Sequence, residues 1–359
     1  MDRTAVTIPL DPPSLVHVGA GILGEVHNEV GENQAVVLFS DETVFRLHGD
    51  SLGPIGDVPT FTLPPGEEGK EFAVLEDALN FLADAGVGRE DLLITLGGGA
   101  VSDLGGLAAS LFKRGIAVVH CPTTLLAQVD ASVGGKTAVN LPAGKNLAGT
   151  FHQPQSVFCD VRTLETLQEE QFQSGLGEVV KTSLLAGHEF LEFLEANEEG
   201  LRARKPVVLR EVVLRCVRHK ANLIAEDERD HGVRKTLNLG HTFAHAIEHC
   251  SGYGHVPHGV AVAVGLILAL AASETLGVLE EKELVGRVSD LLGSLDLPTS
   301  LPDLRECYGV LLPTEDLIQS MSQDKKGVGG SPRFVLLQGV GKAVFDQEIS
   351  PTILNIILA

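Results

Sequence analysis

His241 and His245 stand four residues apart in LNLGHTFAHAIEH, residues 237–249. On a helix, positions i and i+4 share a face, so both imidazoles would point the same way. A zinc-binding helix presents its histidines at that spacing, but the metalloprotease form needs Glu straight after the first His, where this chain has Thr242. The spacing alone leaves open a two-histidine grip on one metal or two histidines with separate tasks. Asn238, one turn before His241, extends the same predicted face. Glu178 and Lys181 lie one helical turn apart in GLGEVVKTSLL, and His258 stands just before a long apolar run. A lone histidine is usually structural or solvated. Three of them, with a helical glutamate and the cations Lys220 and Arg234 in the same half of the chain, make a candidate site. A Glu-His-His set with an open coordination position would be catalytic rather than structural.

A second group of residues fits a nucleotide. LITLGGGAVSDLGGLAAS reads as strand, glycine turn and helix. Gly98 and Gly99 would let the backbone approach a pyrophosphate, and the helix N-terminus offers N–H donors. The dinucleotide motif is incomplete, because Ser102 holds its last glycine position. Asp41 follows the run AVVLFS, where a carboxylate can accept ribose hydroxyls, and Glu67 and Lys70 come from PPGEEGK beside the next helix start. Near Asp41 only Arg46 is basic, which favours NAD over NADP. DASVGGKT (130–137) ends like a P-loop, but Asp130 stands where that motif needs glycine, and no clean strand precedes it. ATP hydrolysis is therefore disfavoured. The surrounding segment, 129–154, carries Asp130, Lys136, Lys145 and Asn146 among glycines, with Arg114 upstream in FKRG. Lysines on glycine loops of an acidic chain suggest phosphate or carboxylate contacts.

That acidity is global: 359 residues carry a net charge of −21. Nucleic acid and anionic membranes are thereby disfavoured as partners, and an anionic substrate must find a local cationic pocket. With 44% hydrophobic and 21% charged residues the composition is that of a soluble globular chain, long enough for two cores. The five cysteines are scattered without a C-x-x-C, which argues against a disulfide framework or cysteine zinc site and suits a reducing cytoplasm. MDRTAVTIPL lacks the apolar core of a signal peptide. The run GVAVAVGLILALAA (259–272) is short for a membrane span and reads as a buried core helix.

The elements that must position these groups follow from periodicity. AVVLFS (35–40), DLLITLGGG (91–99) and IAVVHCP (116–122) are short apolar runs of the buried parallel-strand type. EFAVLEDALNFLADAG (71–86) is a helix that closes on Gly86. From about residue 165 the apolar period becomes 3.6, apart from a late strand-like RFVLLQ (333–338). The expected architecture is a Rossmann-like α/β domain with a parallel sheet over residues 1–165 and a mainly α-helical domain over 166–359, with ligands at the carboxyl ends of the strands.

LPPGEEGK, GGGAVSDLGG, CPTTLLAQVDASVGGKTAVN, GKNLAGTFHQP, GLGEVVK, DERDHGVRKTLNLGHTFAHAIE, HGVAVAVG and DKK occur in that order over nearly the whole chain. Together they resemble the 3-dehydroquinate synthase family of sugar-phosphate cyclases. The resemblance implies a carbon–oxygen lyase of the shikimate pathway, which leads to the aromatic amino acids. Its substrate would be a phosphorylated keto-sugar acid, 3-deoxy-D-arabino-heptulosonate 7-phosphate. NAD would oxidise one hydroxyl, phosphate would leave, the ketone would be reduced again, and the ring would open and reclose by aldol addition to 3-dehydroquinate. It further implies one divalent metal (zinc or cobalt), a homodimer and a cytoplasmic enzyme.

Carried over by position, the resemblance makes Glu178, His241 and His258 the metal ligands, and His245 a contact for phosphate or for a proton. It gives Lys136, Asn146, Asn238 and Arg114 to phosphate or substrate, with Arg114 reaching across the dimer. Asp130, Lys145, Lys181, Lys220, Arg234 and one of Lys325 and Lys326 would line the substrate site. NAD would touch Asp41, Glu67, Lys70, Gly98, Gly99, Ser102, Asp103, Thr123 and Thr124, with Lys136 and Lys145 serving both molecules. Two positions depart from the family: Asp230 stands for the common Glu, one methylene shorter, and Pro257 precedes His258. The rival readings are a sister cyclase (aminodehydroquinate or 2-deoxy-scyllo-inosose synthase), a metal-dependent alcohol dehydrogenase, and a scaffold that has lost catalysis. The joint presence of Arg114, Lys136, Asn146, Lys181, Lys220, Arg234 and Asn238 favours a carboxylate-bearing phosphate substrate over the first two, and the third predicts missing groups.

Overall fold

The structure, a computed structural model, describes residues 3–323 and 332–359. Lys325 and Lys326 lie outside those residues. The chain divides into two units, Met1–Gln168 with Pro206–Arg229, and Glu169–Lys205 with Asp230–Ala359.

The first unit contains strands β1 (Thr4–Ile8), β2 (Ser14–Gly19), β3 (Val36–Asp41), β4 (Thr60–Leu63), β5 (Leu92–Gly97), β6 (Ala117–Pro122), β7 (Lys136–Leu141), β8 (Gly144–Phe151) and β9 (Ser156–Asp160). Its helices include α1 (Glu42–His48), α2 (Phe72–Asp84) and α3 (Gly99–Leu111). Seven strands form one sheet in the order β1-β2-β9-β6-β5-β3-β4, parallel throughout except for β1. Alternate residues serve opposite faces, as a period of two requires. Phe39 and Leu93 pack with α2 and α3 residues such as Leu75, Leu82 and Leu104, while Leu38 and Ile94 pack with Ile22, Leu52 and Phe158. Covering both faces explains why these strands read as unbroken apolar runs. Each such side chain stabilises the fold by roughly 1.5–3 kcal/mol, and Leu93→Ala would cost about 2–5 kcal/mol.

Chain order sets the binding edge. β3 is flanked by β4 on one side and β5 on the other, so the connections diverge there and leave a crevice at the carboxyl ends. Gly105 and Gly106 bring α3 down onto the strands, since a Cβ on either would collide with the methyl of Thr95 or of Thr137. The segment expected as glycine loops is instead an antiparallel hairpin, β7 with β8, paired from Lys136↔Phe151 to Val139↔Ala148. Its strand signal is weak because glycines and lysines interrupt the apolar alternation.

The second unit supplies α4 (Glu169–Ala186), α5 (His188–Ala196) and α6 (Glu198–Arg202). The chain then returns to the first unit for α7 (Pro206–Glu226), which packs on β1 and β2, with Arg210 donating to Thr4 Oγ1 at 2.7 Å. The second unit continues with α8 (His241–Ser251), α9 (His258–Thr275), α10 (Leu284–Ser294), α11 (Leu301–Tyr308), α12 (Thr314–Gln323), the hairpin β10 (Phe334–Gly339) with β11 (Lys342–Gln347), and α13 (Pro351–Leu358). The late strand-like run is thus the first half of a hairpin that turns at Gly341, which has φ of 80°.

α9 is apolar all round and forms the core of this unit, touching α4, α8, α10, α13 and β10. It is the one described helix long and apolar enough to cross a membrane, and 72% of it is buried inside the protein. Two glycine pairs let its neighbours come close. A Cβ on Gly177 of α4 would overlap the carbonyl of Gly259, and one on Gly265 would overlap the carbonyl of Gly240. Each pair sits beside a candidate ligand: Gly177 precedes Glu178, Gly259 follows His258, and Gly240 precedes His241.

Candidate active site

Those contacts converge three side chains of the second unit. Glu178 is fully buried in the middle of α4, while His241 and His258 are the first residues of α8 and α9. Glu178 Oε1 lies 3.4 Å from His241 Nε2 and 3.4 Å from His258 Nε2. That oxygen has no hydrogen-bond partner in its buried position. Ligand atoms held at roughly 2.0–2.2 Å by a tetrahedral metal lie about 3.3–3.6 Å from one another. The spacing therefore suits one small divalent ion with a position left open for substrate. The remaining atoms of the three side chains are committed elsewhere. Glu178 Oε2 pairs with Lys181, buried on the next turn of α4. His241 Nδ1 lies 3.2 Å from the Leu239 carbonyl, and His258 Nδ1 lies 3.0 Å from Glu248 Oε2. Each imidazole is thus set to keep its Nε2 lone pair for the cluster.

The charges are mutually dependent. Burial opposes ionisation of Glu178, but the Lys181 ammonium and the His241 and His258 imidazoles outweigh it and hold the carboxyl well below its usual range. Burial, then Lys181, pushes His241 down to about 4. Burial alone would lower His258 too, but the neighbouring Glu178 and Glu248 carboxylates prevail and push it up to about 10. His245, one turn along α8, is half-buried, with its ring 5.6 Å from His241 and 6.1 Å from His258. Arg234 is buried in the short 3-10 turn Val233–Asn238. Asn238 ends that turn and donates to the Lys235 carbonyl at 3.1 Å. It is not on the helix of His241, as its spacing suggests, because Gly240 takes a left-handed φ of 77° and α8 starts only after it. Asp230 also has positive φ, at 61°.

The nucleotide candidates collect at the carboxyl edge of the first unit's sheet. Asp41 ends β3, Glu67 and Lys70 lie in the 3-10 turn Gly66–Lys70 after β4, Gly98 to Asp103 follow β5, and Thr123 and Thr124 follow β6. Many already hold internal partners. Asp41 caps α1 by accepting from Val44 N at 2.9 Å. Lys70, buried, donates to Asp103 Oδ2 at 2.6 Å and to Asn146 Oδ1 at 2.5 Å. Burial raises the pKa of Asp103, and Lys70 opposes that rise. Ser102 donates to the Gly98 carbonyl at 3.3 Å, and Thr124 Oγ1 accepts from Ala127 N at 3.2 Å. Gly98 caps α3, and a Cβ there would meet Thr124 at 3.0 Å, so the glycine lets this turn pack closely on the segment after β6. Asp130 is bound by Lys220 of α7 through both its carbonyl, at 2.6 Å, and its carboxylate. Lys136 opens β7, while Lys145 and Asn146 lie early in β8. Arg114 is exposed with a left-handed φ of 70° and forms no hydrogen bond or ion pair among the described residues.

Three functional candidates are not picked out by the sequence reading. Glu248 follows His245 by three positions, and its burial beside a ligand is the reason to notice it. Asn140 accepts from Asn146 N at 3.0 Å and donates to Glu67 Oε2 at 2.6 Å, fixing the left-handed Asn146. Asp160 closes β9 as Asp41 closes β3, and it accepts from the N–H groups of Gly21, Ile22 and Leu23. A cavity of about 200 Å³ opens there, with His48 and Arg162 in its wall. The repeated pattern of an apolar strand ending in Asp is the signal that marks Asp160.

A parallel sheet with a dinucleotide-type edge, joined to a helical unit built around a buried three-ligand cluster, defines a class: two-unit proteins with a nucleotide edge and a metal centre of the catalytic kind. The chain belongs to the 3-dehydroquinate synthase family, matching its N-terminal part over residues 60–174 and its C-terminal part over residues 175–327. The 3-dehydroquinate synthase of Acidithiobacillus ferrooxidans is 41% identical over 343 residues, covering 94% of this chain and 92% of that protein. A 2-deoxy-scyllo-inosose synthase solved with carbaglucose-6-phosphate, NAD+ and Co2+ superposes with a TM-score of 0.87 at 25% identity, covering 99% of each chain. A 2-epi-5-epi-valiolone synthase from Streptomyces hygroscopicus, solved with NAD+ and Zn2+, superposes with a TM-score of 0.83 at 26% identity, covering 96% of this chain and 95% of that one.

Proposed function

We propose that the chain is a 3-dehydroquinate synthase, converting 3-deoxy-D-arabino-heptulosonate 7-phosphate to 3-dehydroquinate and inorganic phosphate. The observation that carries this reading is the convergence of Glu178 Oε1, His241 Nε2 and His258 Nε2 in a chain 41% identical to a 3-dehydroquinate synthase over 94% of its length. Bound NAD would supply the transient oxidation and its reversal, and a zinc or cobalt ion on the three ligands would hold substrate hydroxyls and acidify the one oxidised.

The protein's own part is positioning, proton handling and charge. His245 receives the proton of the oxidised hydroxyl, or holds the phosphate, from its place one turn beyond His241. Lys136, Asn146, Arg114 and Asn238 are assigned to the phosphate. Lys145, Lys181, Lys220 and Arg234 serve the carboxylate and hydroxyls, and Asp130 orients Lys220. Oxidation makes the C–H next to the new ketone acidic, the departing phosphate takes that proton as its C–O bond breaks, and fixed cations stabilise the phosphate's negative charge in a chain otherwise strongly negative. Ring closure then asks only that the right conformer be held. Asp41, Glu67, Lys70, Asp103, Thr123 and Thr124 are assigned to NAD. A cytoplasmic homodimer belongs to the same proposal; for the dimer, Arg114 is exposed and forms no ion pair among the described residues, as a group reaching to a partner copy would be.

Purified protein with metal and a catalytic amount of NAD should release phosphate from the heptulosonate phosphate and form 3-dehydroquinate. Release only from a sugar phosphate that lacks a carboxylate would move the assignment to a sister cyclase. Net NADH on a simple polyol would move it to a dehydrogenase. His245→Ala should slow turnover by about 10²-fold or more while metal stays bound; metal loss would refute its separation from the ligands.

A further inference from the structure

We propose that Glu248 is a positioning residue of the metal centre: its carboxylate holds His258 in the tautomer and ring orientation that aim Nε2 at the metal. This rests on the metal assignment above.

Glu248 is only 3% exposed, and an ionisable side chain so buried must be partnered. It meets His258 Nδ1, 3.0 Å from Oε2. When Nδ1–H donates there, the neutral imidazole keeps its lone pair on Nε2. Nε2 is the nitrogen that faces Glu178 Oε1 at 3.4 Å.

The two histidines differ in how they are held. His241's side chain is 11% exposed, and its Nδ1 meets a neutral carbonyl. His258's is 30% exposed, so packing alone leaves its ring more freedom to turn. The more exposed ligand has the charged partner, which is both the stronger acceptor and a local negative charge to offset a divalent ion. Helix geometry makes the arrangement possible. Glu248 follows His241 by seven positions, so both lie on one face of α8. One helix therefore supplies a ligand at its start and the support for a second ligand two turns later. The Gly240–Gly265 contact fixes α8 against α9 and so sets the spacing of that support.

His245, Glu248 and His258 also bring ligand atoms within 4.8 Å of one another, which makes a second metal site the competing role for Glu248. The test is Co2+ binding to the full-length protein, by chelator competition and by the visible spectrum of the bound ion. Glu248→Ala should weaken binding about 10- to 100-fold and change the cobalt spectrum. Glu248→Gln, of the same shape, keeps an acceptor but not the charge, and should weaken binding by roughly three- to tenfold. It decides the matter if the alanine variant does not fold. Wild-type affinity and spectrum in both variants would overturn the proposal. So would a wild type that binds two equivalents while the variants lose only one. If His258→Ala itself binds Co2+ as the wild type does, the metal assignment fails instead, so the two failures are told apart.

Discussion

The helical cluster and the sheet edge solve different problems. In the second unit, Glu178, His241 and His258 bring three ligand-type atoms within 4.8 Å of one another, from the middle of one helix and the first residues of two others. Glycine contacts fix the helices, and the Nδ1 atoms of the two histidines are tied to Leu239 and Glu248. At the edge of the first unit the groups lie on turns, strand ends and helices, and they hold one another: Lys70 with Asp103 and Asn146, Ser102 with Gly98, Lys220 with Asp130. A metal ion needs few bonds in strict geometry, so a rigid frame serves it. A dinucleotide spreads many weaker contacts over a long surface, so groups there can exchange an internal partner for a ligand. Single substitutions should therefore be severe in the cluster and graded at the edge.

The largest effect is expected from Glu178→Ala. It should remove the bound metal and lower phosphate release by at least about 10³-fold, the equivalent of several kcal/mol of lost charge stabilisation. It also leaves Lys181 buried without its carboxylate, which should cost roughly 3–5 kcal/mol of stability. Metal content, phosphate release and thermal unfolding read the three consequences separately. A variant that stays loaded and stable would break the contrast at once.

The cluster's unequal histidines give the next test. In the metal-free protein His258 is pushed up to about 10 and is protonated at neutral pH, while His241, pushed down to about 4, is already neutral. Metal binding near neutral pH should therefore expel about one proton, not two. Proton and metal compete for His258, so apparent affinity should rise by up to about tenfold per pH unit between roughly pH 7 and 9, and fall as the solution is acidified. Calorimetry in two buffers of different ionisation enthalpy counts the protons. A count near two would show that the histidines are equivalent and that their different partners do not matter.

The same contrast explains what the sequence made legible. The central strands β3, β5 and β6 and the core helix α9 follow from unbroken apolar runs, because burial on all sides leaves that mark. The hairpin β7–β8 does not, because β8 is nowhere fully buried and its glycines and lysine break the apolar alternation. The 3.6 period of α7 is real, but periodicity says nothing about which core a helix joins, and α7 joins the first. Asn238 and His241 look like one helical edge until Gly240 turns left-handed between them. Glu248 is a different case: its spacing from His245 is visible, but its partner His258 comes from the next helix, and only tertiary structure brings them together.

At the sheet edge, Lys70→Met should weaken NAD binding by about tenfold, the value of one charge-assisted hydrogen bond, and leave the metal in place. Titration of NAD into the metal-loaded protein measures it. An effect as large as that of Glu178→Ala would mean that the edge is as rigidly built as the cluster.

Ser102→Ala should have the smallest effect. Ser102 occupies the last glycine position of the incomplete dinucleotide motif, which marks it as a possible NAD contact. In the structure its side chain is buried in the first turns of α3 and donates back to the Gly98 carbonyl at 3.3 Å, a long bond of the kind that tolerates loss. Alanine fits the same space and favours the helix, so the lost bond and the gained propensity should nearly cancel, within about 1 kcal/mol of stability. NAD affinity should stay within about threefold, because the turn offers a ligand its backbone N–H groups and these do not depend on the hydroxyl. A loss of tenfold or more on NAD titration would mean that the hydroxyl leaves Gly98 to meet the nucleotide, the same partner exchange argued for Lys70, carried one turn deeper into the helix.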